Sequence, residues 1–463
     1  MGRLLGLWIG AAMLVSGTLH SHAQTVPAQL QVDAEQALVD GDAATTEARA
    51  RQLLAQDPDH YAAHLLLALA LSDQGRFSEA ARAAAQAYER ARTKEEKLIT
   101  SRLAGSAHFR AEHYARSELW FRRAANHIQT EEEAENVVRA FHRAQQANPI
   151  SSNYTASIAP TDNINGGSST GVGCFQNHDD SCFWEFTLPE DRHALSGLEY
   201  AASARVSYRL SRSQRQQTSI GALIQGQAYT LSDEARELLS SSPSSEVRDV
   251  TAKDFAAVLA EITLAQRQRN LSPLGPTRTE LAFGKYWQGG DALVRYRDVI
   301  LEQDIAIGEA GILSLGWQQR DQTALVPSLL DTVTTEISTG WRTRLPNDDG
   351  IRFILAAKES AAGRESSYVE YRAGIDYAPQ QRVLNSRWSI SFEAGQRSFP
   401  EYPTTLDGRE DLFATLGMTA VFEDWSYLGF SPSVSLTATR MESDVKGADT
   451  TSAALRFGIA SNF

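Results

Sequence analysis

Of 463 residues only two are cysteine, and both fall within the nine-residue stretch "CFQNHDDSC". That excludes a disulfide-stapled scaffold and every multi-cysteine zinc module. Histidine is scarce in the second part of the chain. Past residue 150 there are only His178 and His193, and no G-x-S-x-G stretch. A hydrolase built there would lack a nucleophile with a placed base, so the chain is expected not to be an enzyme. No Gly-rich loop precedes a Lys-Ser/Thr pair, which removes an ATP source; no cofactor is expected. Positive charge is in deficit: 44 Lys and Arg stand against 57 Asp and Glu, a formal net charge of -13. This argues against a nucleic-acid partner. Long apolar runs are missing too, since the stretch from Leu4 to about Val15 falls short of the roughly 20 residues that span a bilayer as a helix.

That stretch reads instead as part of a secretory signal peptide over residues 1–23. Arg3 precedes it, and Ser21-His22-Ala23 offers the small residues of a cleavage site. The mature chain is therefore expected to be exported. In an oxidising compartment Cys174 and Cys182 are expected to close one small disulfide loop. A metal site using Cys174, His178, Asp179 or Asp180 is the alternative, although its spacing fits no standard zinc pattern.

Residues 24–148 are rich in Ala, Glu, Arg and Leu, and "AAHLLLALALSDQGRFSEAARAAAQAYERA" carries apolar residues at helical spacing. Gly75-Arg76-Phe77 has the form of the tight turn between two helices of a tetratricopeptide-type repeat. Small residues Ala68, Ala80 and Ala87 allow the helices to approach. A related turn at Gly41 lies 34 residues upstream and another, at Glu112, 37 residues downstream. A period near 34 residues is the signature of this repeat. About three repeats are expected, the minimum for a stable stack. Their first helices would line a concave face with Ser72, Asp73, Arg102, Ser106, Phe109 and Arg110. Nothing in that face looks catalytic; its physical use is to hold a segment of another protein. A bare spacer is the plainer reading.

From residue 149 to 463 the pattern changes to ten-residue segments of alternating polarity separated by turns. In "LEYAASARVSYRL" Leu198, Tyr200, Val206 and Tyr208 share one face, and Glu199, Arg205 and Arg209 the other. Alternation alone fits a soluble sandwich as well as a membrane barrel. Three features favour the barrel. Strands recur for about 310 residues with no helices to cover them. Tyr154, Tyr229, Trp287, Trp317, Trp341, Tyr377, Trp388, Trp425 and Tyr427 lie near strand ends, as interfacial girdles require. The last strand runs to a terminal aromatic, Phe463, with Gly458 inside it. A final strand of this kind is what an outer-membrane barrel offers its assembly machinery. Ser461 departs from that signal, where an apolar residue is usual.

The reading is an antiparallel outer-membrane β-barrel of about 14 strands. Strands are expected to begin near residues 152, 196, 216, 251, 277, 292, 309, 331, 350, 367, 386, 410, 428 and 451. An even count puts both barrel ends on one side, with the repeat domain in the periplasm of a Gram-negative cell. Odd-to-even connections should then be long and face outward. The short "QGGD" and the longish 267–276 stretch are exceptions to that rule. The polar faces, with Arg205, Arg209, Glu370, Arg372, Asp376, Glu393, Arg397 and Arg456, are expected to line a lumen of mixed charge.

This layout resembles the surface lipoprotein assembly modulator (Slam) family, outer-membrane components of the type XI secretion system. "SIAPTDNING" (157–166) is similar to the family's first strand and the loop after it; "GFSPSVSLTATRMESDV" (429–445) is similar to its penultimate strand. Asp162, Asn163 and Asn165 could cap a turn as readily as contact a client. The resemblance implies a monomeric translocator that meets a periplasmic lipoprotein or small secreted protein and moves it to the surface or medium. An exopolysaccharide export porin is the alternative, though such porins usually carry longer repeat arrays.

Overall fold

The computed structural model of the protein describes residues 26–461 apart from 177–181, 273, 309–310, 364–365, 403–404, 406 and 428–429. The expected signal peptide, His178, Asp179, Asp180 and Phe463 lie outside the described residues. The chain divides into two compact units after Pro149.

Among the described residues the first unit holds seven helices: α1 (Val26–Val39), α2 (Ala43–Gln56), α3 (Tyr61–Asp73), α4 (Phe77–Arg90), α5 (Lys94–Arg110), α6 (Tyr114–Ala125) and α7 (Glu131–Ala147). They pack as three helix pairs with α7 against the last pair. The three turns share one backbone device. Gly41 and Gly75 both have φ +77°, and Glu112 adopts φ +60° in the equivalent place. Glycine takes this left-handed conformation without the side-chain clash that Glu112 bears. The longer second spacing comes from α5, which has 17 residues where α3 has 13. Capping boxes at Thr93/Glu96 and Thr130/Glu133 start α5 and α7. The core is built from alanine: Ala50, Ala68, Ala80, Ala84 and Ala104 are fully buried around Leu66, Leu71 and Trp120. Small side chains bring the helix axes close.

Two ionisable groups are buried in this unit. Glu118 accepts a hydrogen bond from Asn148 Nδ2 at 2.7 Å and faces Arg122 at 4.0 Å. Burial raises the Glu118 carboxyl and lowers the Arg122 guanidinium to about 10. The Glu118–Asn148 hydrogen bond ties α6 to the end of α7. His108 is buried on α5, and among the described residues its Nδ1 has no hydrogen-bond partner.

The second unit is a closed antiparallel barrel of 14 strands. β1 (Ile150–Thr161) leads into a long connection containing a separate hairpin, β2 (Val172–Gln176) and β3 (Cys182–Thr187). The barrel continues through β4 (Gly197–Arg212), β5 (Gln216–Leu231), β6 (Ala257–Ser272), β7 (Gly275–Gln288), β8 (Asp291–Ile307), β9 (Gly311–Ala324), β10 (Thr332–Arg344), β11 (Gly350–Ala361), β12 (Tyr368–Ala378), β13 (Arg387–Phe399), β14 (Arg409–Val421), β15 (Phe430–Ser443) and β16 (Thr450–Ser461). Each strand pairs with the next, and β16 returns to β1. Side chains alternate between two faces. One face is a polar interior. The other is an outer wall of uncovered apolar residues, among them Tyr200, Ile224, Ile262, Phe283, Ile337, Leu355, Tyr371 and Phe457.

Three expectations need correction. The 267–276 stretch is not a longish connection: β6 and β7 run through it, and only 273–274 separate them. The fourth barrel strand starts at Ala257 rather than near 251. Three short helices, α8 (Asp233–Ser240), α9 (Ser245–Arg248) and α10 (Ala252–Phe255), occupy the connection before it. Tyr229 is not on the outer wall; it pairs with Glu199 on the interior face and donates to Gln227. Trp341, Tyr377 and Trp388 are on the outer wall near the short-turn end. Trp425 and Tyr427, 70 % and 71 % exposed, stand in a turn at that end.

His108 gives this fold a pH dependence. Burial, with His113 and Arg116 nearby, lowers its imidazole to about 4, against about 6.5 in an unfolded chain. The unfolded state therefore takes up the proton first, and stability present above pH 6.5 is lost as pH falls toward 4. Urea titration of the detergent-solubilised chain, followed by helical circular dichroism, should show that loss between pH 7.5 and 4.5. His108→Leu should remove part of it. Equal declines in both proteins would contradict a neutral buried His108.

Candidate functional site

In the repeat domain the predicted face lies on α3 and α5. Arg102, Ser106 and Arg110 are exposed and follow one another at four-residue spacing along α5. Phe109 is half-buried and packs edge-on against Tyr114, with ring centroids 5.6 Å apart. The Arg110 guanidinium sits 5.7 Å from the Phe77 ring. Ser72 and Asp73 end α3, Asp73 exposed. Among the described residues no ion pair or hydrogen bond joins Asp73 to the α5 side chains. The face is thus an open polar stripe with an aromatic patch at one end. The tightest charged cluster of the domain is elsewhere: Glu47 accepts from Arg51 at 2.7 Å, Arg76 at 2.8 Å and Gln74 at 2.9 Å. Those donors, Arg51 foremost, hold Glu47 at about 2. The cluster ties α2 to the α3–α4 turn and is structural.

In the barrel all eight predicted lumen residues lie on the interior face. Six of them form ion pairs, four in one network and two with one partner each. Arg397 meets Glu370 at 2.7 Å; Arg372 meets Glu336 at 2.7 Å, Glu370 at 3.2 Å and Glu393 at 3.7 Å. Arg456 meets Glu199 at 2.6 Å, and Asp376 meets Arg352 at 4.0 Å. Arg205 lines a cavity of about 550 Å³ near the short-turn end, with Arg267, Arg278, Glu302, Asp304 and Arg342 around it. Arg209 sits further toward that end of β4. Sequence reasoning missed a second network. Asp298, 3 % exposed, receives Arg320 through Nε at 2.8 Å and Nη2 at 2.6 Å, and Tyr296 donates to Glu261 at 2.8 Å. Asp298 and Arg320 face each other across strands, a signal that appears only once register is known.

The closing seam differs from the other strand pairs. β1 pairs with β4 at every position from Ile150 to Thr161. Against β16 it pairs at Thr155 to Ile158 and again at Thr161, in one register, with Ala159 and Pro160 unpaired. Proline has no N–H to give a ladder. Gly458 lies opposite Ser157, where a Cβ would meet the Ala156 carbonyl at 2.9 Å, so the seam is closely approached on its other half.

Beyond the gap, the "TDNING" residues stitch the seam from outside. Asp162 Oδ1 accepts from Ala453 N at 2.9 Å. Asn163 bridges to Gly167, accepting its N–H at 2.8 Å and donating to its carbonyl at 2.9 Å. Asn165 Nδ2 donates to the carbonyls of Asp191 at 2.8 Å and His193 at 2.7 Å, and its Oδ1 accepts from Leu195 N at 3.0 Å. Ser169 N donates to Asp449 O at 3.2 Å, and Lys446 pairs with Glu185. The first and last long connections are therefore bound together over the seam.

The same first connection carries β2 and β3, with Cys174 and Cys182 disulfide-bonded across them. Phe183 and Trp184 project from β3, each 63 % exposed. Leu195 from this connection packs with Leu231, Ala235, Leu239 and Val247 of the α8–α9 segment into a small apolar cluster. Leu231 precedes the cap Ser232, and Ala235, Leu238 and Leu239 follow it at helical spacing, a signal too short to set the stretch apart from a polar loop.

No family model and no curated protein matches the chain. Solved structures overlay one unit or the other. The TPR2B-domain:pHsp70 complex of yeast Sti1 is 14 % identical, covers 26 % of this chain and 96 % of its own, and has a TM-score of 0.24. A bacterial polysaccharide outer membrane secretin is 9 % identical over 67 % of this chain and 98 % of its own, TM-score 0.35. OccAB4 of Acinetobacter baumannii is 10 % identical over 67 % and 97 %, TM-score 0.32. Scores this low do not bear on function.

The hold of Asn165 on the rest of the first long connection is testable in the full chain. Asn165→Ala removes hydrogen bonds that hold residues 191–195, each worth about 1 kcal/mol. Trypsin cleavage after Arg192 should then quicken by about tenfold. An unchanged cleavage rate would mean that Asn165 does not hold this connection.

Proposed function

We propose that this chain is an outer-membrane translocator of the Slam type. The long-loop end of the barrel faces outward and the repeat domain lies in the periplasm. There the α3 and α5 stripe takes hold of a segment of a lipoprotein or small secreted protein. The barrel, acting as a monomer without cofactor or catalysis, passes that client to the surface or medium. The observation that carries this reading is the union, in one chain, of an open helical-repeat face and a barrel whose closing seam is locally unpaired. A passive pore needs neither. Lumen arginines neutralised by carboxylates suit a path that must not trap a charged polypeptide. The seam at Ala159 and Pro160 is the part of the wall that yields when the client passes. Membrane lipid surrounds the wall, and the assembly machinery recognises the closing strand at Gly458 and Phe463.

The test compares a deletion strain with its parent, measuring protease-accessible surface proteins and secreted proteins by mass spectrometry. One or a few proteins should vanish from the surface or medium and accumulate in the periplasm. Arg102→Glu with Arg110→Glu should reproduce that defect in part. Unchanged protein display with reduced surface polysaccharide would overturn the reading in favour of an exopolysaccharide export porin.

A further inference from the structure

Over most of its height the outer wall of the barrel carries no charged side chain. Outward positions on β7 run Thr277, Thr279, Leu281, Phe283, and on β9 Leu313, Leu315, Trp317, before charge appears toward the long-loop end. There most of the wall is neutral, acidic or self-neutralised: Glu359 and Glu410 stand on β11 and β14, and Arg440 pairs with Glu442 on β15 at 2.5 Å. β7 and β8 differ. Lys285 and Arg295 face each other directly across the two strands. Like charges so placed repel. Their other cross-strand neighbours, Ala260 on β6 and Thr323 on β9, offer no counter-charge. Arg297, the next outward position on β8, is held by Asp321 at 2.8 Å. Among the described residues neither Lys285 nor Arg295 has a carboxylate within ion-pair distance. Lys285 instead lies 5.1 Å from the Trp287 ring, and Arg295 is exposed.

Two cations thus stand side by side at the upper margin of the apolar wall, positioned for an anion that the chain itself does not supply. We propose that Lys285 and Arg295 bind the phosphate groups of a phosphorylated lipid headgroup in the outer leaflet around the barrel. The patch sits just above the apolar band, where headgroups meet the wall. Arg295 supplies a planar fork for two phosphate oxygens, Lys285 a point charge beside it. Trp287, amphipathic and alongside, suits the same interface. The ligand is a lipid and not free phosphate, because the site is open toward the membrane side of the wall. This inference rests on the barrel lying in a membrane, and not on delivery of a client.

Native mass spectrometry of the full chain in detergent, titrated with purified lipopolysaccharide and with the same lipid stripped of its phosphates, tests it. The natural chain should retain the phosphorylated lipid and release the stripped one. Lys285→Gln with Arg295→Gln should weaken retention by about thirtyfold, near the effect of two surface cations. Lys285→Arg should keep it, and Arg440→Gln on the far wall should not alter it. Heat-modifiable gel mobility checks that each variant barrel is closed. Equal retention by the double variant, equal binding of the stripped lipid, or complete displacement by millimolar inorganic phosphate would each overturn the assignment. Loss of client delivery in the deletion strain is read separately, so either proposal can fail alone.

Discussion

In hydrocarbon, an unpaired backbone N–H or C=O costs several kcal/mol, so a sheet that crosses a membrane must close on itself. Everything distinctive in the second unit follows from how this chain meets that requirement with its first and last barrel strands. β16 carries glycine where it approaches β1 most closely, at Gly458. β1 carries proline where the ladder to β16 lapses. Beside the lapse, bonds from the first loop reach across the seam, through Asp162 to Ala453 and Ser169 to Asp449. Closure is complete in topology and weakest at one place.

Charge is sorted by face with equal consistency. Arginines level with the apolar band are turned inward, and most are matched to a carboxylate one or two strands away. The Glu336–Arg372–Glu370–Arg397 chain and the Asp298–Arg320 pair fix side chains across several strands. The interior is thereby polar without being strongly of one sign. The repeat domain solves a different problem with different residues. Its helices approach over fully buried alanines, and the stripe on α3 and α5 leaves Asp73, Arg102 and Ser106 exposed, whereas Glu47 and Glu118 are committed to holding helices together.

Much of this was legible in the sequence. Gly41 and Gly75 marked the repeat turns because a left-handed residue is needed there, and the period-two alternation of β4, β12 and β13 placed the lumen residues on one face. The failures have physical causes. "RQRNLSPLGP" reads as a loop because β6 and β7 extend past the apolar band, where both faces are wet and alternation disappears. Tyr229 was misassigned because an aromatic near a strand end does not reveal its face; register does. Glu336, Asp298 and Arg320 could not be recognised as partners before strand pairing was known. The stretch before β6 looked like plain polar loop because its helices are only four to eight residues long. The role of Asp162, Asn163 and Asn165 was open in the sequence, since the same side chains serve turns and partners alike; their bonds in the fold are to their own chain.

The central claim is that the β1–β16 seam gives way during delivery. Ala156 and Ile459 face each other across it on the outer wall. With both replaced by cysteine, oxidation would lock the seam without filling the lumen. The measurement is surface display of the client, identified by its loss in the deletion strain, with the lock closed and then reduced. The account predicts that the client stays in the periplasm while the disulfide holds and reaches the surface once it is reduced. Full display through a locked, folded barrel would contradict it.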